Sequence, residues 1–170
     1  VVKATDTKSV SAEYDFLMRV IPQPTPFLRI NSGGNTYGAW SADQLFNGGS
    51  TFSRIIPINK TVDDILYQTE RYGTDFSYQI PVDKPGYYRV NLHFAEIYHG
   101  ISNTRGVGAR VFDVQVEGKL ELPNYDIFLA AGGPANAVIE KIDSVLVTDG
   151  FLSIRVIRKV DNAKISAIEL

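Results

Sequence analysis

The stretch LYQTERYG, residues 66–73, sets Tyr67 and Tyr72 five positions apart around Glu70 and Arg71. Strand-like alternation sends the two rings to opposite faces, so one can be core while the other is free for a ligand. Two chemistries are open to such residues. Rings and planar polar groups can stack on and hydrogen-bond a ligand, and carboxylates can do acid–base work. For the second, Glu70, Glu96, Asp113 and Asp161 are raw material. Cleaving a sugar bond needs two carboxyl groups about 5–9 Å apart across an open cleft. Asp113 lies inside a strand pattern and Glu96 on the core-side register of its own, so neither is poised for this. No nucleophile-and-base pair or metal motif is present. Catalysis is therefore not expected.

Composition narrows the field further. Cysteine is absent and only His93 and His99 are present, which excludes disulfides, thiol nucleophiles and histidine-rich metal sites. Asp63, Asp64 and Asp75 are oxygen donors of the kind calcium takes, but they form no spaced loop motif, so no cofactor or calcium site is expected. Gly33-Gly34 lacks the Lys-Ser or Lys-Thr and the helix of a phosphate loop, and reads as a tight turn. The net charge is −2 without a basic stripe, which argues against nucleic acid. No run approaches the ~20 apolar residues of a membrane span.

The elements that must position these residues are strands. In YYRVNLHFAEI, residues 87–97, Tyr88, Val90, Leu92 and Phe94 share one face, and Arg89, Asn91 and His93 share a polar, surface-facing one. RVFDVQVEG turns Phe112, Val114 and Val116 inward and ends in a turn at Gly118. IDSVLVTDGFLSIRVIRK has the outline of a hairpin closed by Asp149-Gly150. KISAIEL reads as one last short strand. Many short strands about ten residues apart predict an all-β, antiparallel β-sandwich of jelly-roll type. Two long Gly/Asn/Ser-rich loops, 31–52 and 98–110, interrupt the rhythm. Loops of this length in a compact domain are functional or disordered, and their aromatics argue against disorder.

Residues 1–26 differ in kind. AEYDFLMRV alternates, and IPQPTP places three prolines in five residues, a stiff linker. Two readings stand: the last strands of a preceding immunoglobulin- or cadherin-like domain, or extra strands of the main domain at 27–170. The abrupt start VVKATDTKSV reads as a fragment of a longer chain.

From residue 28 onward RINSGG, LYQTERYG, NLHFAEIY, RVFDVQVEG, YDIF and VDNAKISAIEL occur in an order that resembles the malectin domain family. The LYQTER run and the FAEIY strand are similar to its bacterial branch. The resemblance implies a jelly roll whose edge loops hold a glucose disaccharide, in a non-catalytic lectin-like module. It places site residues at Tyr72, Tyr98, His99 and Asp161, with one more aromatic in the early loop. There Tyr37, Trp40 and Phe52 are the candidates, and Trp40 reads equally as a lid over the core. Tyr67 is then the core residue, while Glu70 and Arg71 read as a structural ion pair or a loop pin.

A pyranose carries C–H groups on its faces and hydroxyls around its rim, so flat rings and carboxylates suit it. Two departures bear on specificity. A histidine, His99, stands where the family has the second aromatic of a pair, and the loop 100–109 is longer and glycine-rich. The expected partner is a glucose-containing oligosaccharide or polysaccharide. The chain would act as a monomeric module beside neighbouring domains of a secreted or cell-surface bacterial protein. The alternative is a structural or adhesive spacer with a degenerate pocket.

Overall fold

The structure is a computed structural model that describes residues 27–170, so both readings of residues 1–26 lie outside the described residues. In chain order the strands are β1 (Arg29–Asn31), β2 (Ser41–Ala42), β3 (Phe46–Asn47), β4 (Ser50–Ser53), β5 (Thr69–Gly73), β6 (Asp75–Pro81), β7 (Gly86–Phe94), β8 (Val111–Val116), β9 (Lys119–Tyr125), β10 (Val138–Val147), β11 (Phe151–Val160), β12 (Ala163–Ile165) and β13 (Ala167–Glu169). Short helices α1 (Asp64–Tyr67) and α2 (Ile127–Ala131) precede β5 and β10. One sheet has the order β10-β7-β13-β1-β2, a second β3-β6-β11-β8-β9, and a small third sheet β12-β5-β4. Apart from the short β1–β2 pairing, the strand pairs are antiparallel. The molecule is an all-β sandwich, as its alternating strands predict.

The core lies between the two five-stranded sheets. Alternate residues of β6, β8 and β11 (Phe76, Tyr78 and Ile80; Phe112, Val114 and Val116; Leu152, Ile154 and Val156) meet Val90, Leu92 and Phe94 of β7. Their removal from water is the main stabilising term. A second, smaller apolar cluster of Ile58, Leu66, Tyr67, Ile97 and Ala167 sits beneath the loops.

Four local expectations change. The segment 138–160 is not a hairpin: β10 pairs with β7 in one sheet, and β11 pairs with β6 and β8 in the other. The Asp149-Gly150 turn, with Gly150 at φ +86°, therefore crosses the sandwich. Alternation alone fits both arrangements, because either one turns the apolar faces of both strands to the same core. KISAIEL divides at Ser166 into β12 and β13, which belong to different sheets. Tyr67 is buried, but it ends α1 rather than sharing a strand with Tyr72.

His93, expected at the surface, is only 5% exposed. The second cluster covers the outer side of β7, with the Trp40 ring edge-on to His93 at 5.2 Å and the Tyr67 hydroxyl 2.8 Å from its Nδ1. Burial pushes the His93 pKa down to about 4, against an opposing pull from Glu169, so it is neutral at physiological pH.

Candidate functional site

The small sheet builds one wall of a hollow of about 280 Å³. On β5 the period of two puts Glu70 and Tyr72 on one face. Phe52 of β4 is registered opposite Glu70, and Lys164 of β12 opposite Tyr72. Arg71 points the other way, where it pairs with Asp43 at 2.7 Å and lies over the Phe46 ring at 3.3 Å. Glu70 and Arg71 are thus two separate pins on opposite faces. Glu70 pairs with Lys164 at 2.5 Å.

The opposite wall comes from the chain leaving β7 and from the turn joining β11 to β12. The first brings Tyr98, 42% exposed, with its ring edge-on to Phe52 at 6.2 Å. The second brings Asp161 and Asn162, and Arg110 enters just before β8. Tyr72, Tyr98 and Asp161, far apart in sequence, line one hollow with Phe52, Glu70 and Arg110.

His99 follows a different course from Tyr98. It is 1% exposed, and its Nε2 stands 2.7 Å from Asp161 Oδ2. The Asn103 amide nitrogen lies 3.3 Å from His99 Nδ1. With that amide donating, Nε2 carries the proton and donates to Asp161. His99 is a clamp behind the carboxylate and does not itself line the hollow. Asp161 sits at φ +56° and its Oδ1 accepts the Asn162 N–H at 2.7 Å. Its partial burial raises its pKa, but the Asn162 N–H, His99 and the Arg110 charge outweigh that and hold it below the usual range.

Beneath lies Glu96, buried, with Oε1 accepting the N–H groups of Tyr98 and His99 at 2.9 and 3.0 Å, and Oε2 accepting Arg110 Nε at 2.7 Å. Burial pushes its pKa up, yet Arg110, Lys164 and these bonds leave it lowered. Glu96 therefore holds the Tyr98 backbone and the Arg110 side chain together.

Tyr37 and Trp40 do not line this hollow. They bridge each other across a turn, with the Tyr37 hydroxyl 3.5 Å from Asp63 and Trp40 packed on the second apolar cluster. Of the early-loop candidates, Phe52 is the one at the hollow. Glu70 was legible as a neighbour of Tyr72 from its i, i+2 spacing once β5 is read as a strand. Arg110 and Asn162 carry no such local signal. A larger depression, about 630 Å³, lies over β3, β6, β8 and β11, and none of the expected site residues line it. Among the described residues no metal-binding group of carboxylates and histidines occurs, and Asp75 is paired with Arg155. Nor is any described helix long and apolar enough to cross a membrane.

A tight turn supports this wall. Gly33, at φ +73°, lies so close that an added Cβ would be 2.1 Å from the Glu70 carbonyl oxygen. Gly33→Ala is expected to destabilise the domain by about 2–4 kcal/mol, from the left-handed backbone and the clash together. Urea unfolding measures this, and a change within 0.5 kcal/mol, as at about any neutral surface site, would refute the close approach.

A family model for the malectin domain matches residues 27–168. The chain belongs to the malectin domain family. It is 35% identical over 109 residues to malectin of Mus musculus, covering 62% of this chain and 35% of that protein. It is 36% identical over 94 residues to malectin-B of Xenopus laevis, covering 55% and 32%. A probable leucine-rich repeat receptor-like serine/threonine-protein kinase of Arabidopsis thaliana is 36% identical over 126 residues, covering 71% and 12%. The chain thus spans about a third or less of these relatives.

Among solved structures, the fold is similar to the ANXUR1 extracellular domain of Arabidopsis thaliana (TM-score 0.71, 15% identity, 85% of this chain and 47% of that one). It is also similar to part of a Bacteroides uniformis beta-glucuronidase (TM-score 0.68, 18% identity, 84% and 17%). The malectin domain is a carbohydrate-binding module, and the malectin relatives support that reading of this chain. The sequence relatives named here are animal and plant proteins, and they lend no support to the expected bacterial origin.

Proposed function

We propose that the domain binds glucose-containing di- or oligosaccharides in the hollow without cleaving them, as a monomeric module of a larger secreted or cell-surface protein. The observation that carries this is the grouping of Phe52, Tyr72 and Tyr98 around Asp161 in one open hollow at strand ends. Rings can cover the C–H faces of a pyranose and the carboxylate can accept its hydroxyls. A glycosidase acid needs a carboxyl whose pKa is raised. Here Glu96 and Asp161 are both held low, and Glu70 faces Lys164, which supports binding over hydrolysis.

A second reading, a spacer with a degenerate pocket, is favoured by one observation: His99 is turned inward onto Asp161, so a stacking face is withdrawn. Titration of the ¹⁵N-labelled chain with maltose, nigerose and longer glucans separates the two. Saturable shifts at Tyr72, Tyr98 and Asn162, with a Kd of about 1 µM–1 mM, are expected. No shift with any glycan at about 10 mM, weaker than −4.1 kcal/mol would allow, decides for the spacer.

A further inference from the structure

The floor of the hollow is charged. Glu70 is 2% exposed and Arg110 5%, yet both line it. Each is held from behind: Glu70 Oε2 by Lys164, which is wholly buried, and Arg110 Nε by Glu96. Arg110 Nη1 donates to the Asn162 carbonyl. Arg110 Nη2 and Glu70 Oε1 have no hydrogen-bond partner among the described residues. Burying charge is costly unless it is paired and hydrogen-bonded. Neither of these two atoms is sealed from solvent, so one donor and one acceptor on otherwise buried, pinned side chains open onto the hollow where a ligand can reach them.

A hydroxyl both donates and accepts, so a free N–H beside a free carboxylate oxygen is matched to sugar hydroxyls. A carboxylate ligand is not matched. Arg110 has already committed two edges of its fork, so the bidentate grip that guanidinium gives a carboxylate is not available. The lining also carries two carboxylates, Glu70 and Asp161, against the one guanidinium.

We propose that Glu70 and Arg110 are specificity-determining residues, with Arg110 Nη2 donating to and Glu70 Oε1 accepting from hydroxyls of a neutral hexose, and that this floor turns away uronic acids. The inference rests on the saccharide reading above. Lys164 and Glu96 act as positioning residues that keep the two floor groups aimed at the ligand.

The test uses the whole chain and calorimetric or NMR titration with three probes: maltose, single-position deoxy-maltoses, and the analogue with a carboxylate at C6. Wild type is expected to bind the uronic analogue at least about tenfold more weakly than maltose, with the gap narrowing as salt screens the lining. At least one deoxy analogue is expected to lose about tenfold, because it leaves a buried polar group unpaired. Arg110→Lys keeps the charge facing Glu96 but lacks Nη2, and is expected to lose about tenfold for maltose with an unchanged fold by ¹⁵N spectrum. Glu70→Gln is expected to narrow the discrimination against the uronic analogue.

The inference is overturned if the uronic analogue binds as well as maltose, or if every deoxy analogue matches maltose. These arms need no variant, so they stand even where Arg110→Lys does not fold. If maltose binds and Tyr72→Ala removes that binding while the floor arms fail, only this inference falls. If wild type binds no saccharide, both readings fall.

Discussion

Glu96→Ala is expected to lower the stability of the domain by about 3–5 kcal/mol, the scale of breaking a buried ion pair. The carboxylate accepts two backbone N–H groups and the Arg110 guanidinium; the bonds from His99 and Arg110 are buried and the one from Tyr98 is partly so. Removing it leaves a buried cation and two orphaned donors. For a chain of this length the loss corresponds to a fall in Tm of roughly 6–20 °C. Differential scanning calorimetry reads it directly, and a fall under about 2 °C would mean that the network does not hold this end of the sandwich. Glu96→Gln, which keeps the shape, is expected to lose less.

The same network, together with Glu169 on its separate partners Arg29 and Asn91, sets the response to acid. Folded-state pKa values of Glu96, Asp161 and Glu169 lie below their ordinary ones. Their stabilisation is therefore fully present above the unfolded-state values, and it is lost as the pH falls through the depressed folded ones. Glu96 and Glu169 start from an ordinary value of 4.5 and Asp161 from 3.8, which places this loss in the acid range.

His93 adds an earlier window. Its pKa falls from 6.5 to about 4 on folding, so between those values the unfolded chain binds the proton and the folded one does not. Stability is thus expected to decline from about pH 6.5 downward and more steeply below about pH 4.5. Glu96→Gln should remove part of the steeper limb and leave the earlier one. A melting temperature that does not change from pH 7 to 5 would contradict the burial of His93.

Tyr98→Ala is expected to weaken saccharide binding by about 10–100-fold, the range for truncating a central aromatic contact, while costing the fold little. Tyr98 is 42% exposed, and what positions it is backbone: its N–H on Glu96, at the point where the chain leaves β7. The side chain is therefore free to serve the ligand. Its ring meets Phe52 edge-on across the hollow and His99 edge-on behind it, so some loss through Phe52 is part of the effect, and a Phe52→Ala, Tyr98→Ala cycle apportions it. A Tyr98→Ala protein that binds maltose as well as wild type would remove Tyr98 from the proposed site while leaving the family assignment intact.

Alternation along Phe112, Val114 and Val116 and along Tyr88, Val90, Leu92 and Phe94 was enough to show strands with a buried face, because side-chain direction in an extended chain is a local property. The ordered motifs from RINSGG to VDNAKISAIEL carried the family and pointed to Tyr72, Tyr98 and Asp161, and these three do share a hollow.

Which sheet each strand joins was not legible. The same alternation serves a hairpin or a crossing between sheets, and contacts distant in sequence make the choice at β10 and β11 and again at β12 and β13. Burial of His93 was hidden because a polar-looking strand face is covered by loops that only the closed fold brings over it. His99 and the pairs Glu70–Lys164 and Arg71–Asp43 were hidden for the same reason: a charged side chain takes the partner that the folded backbone places beside it, whatever stands next to it in the chain.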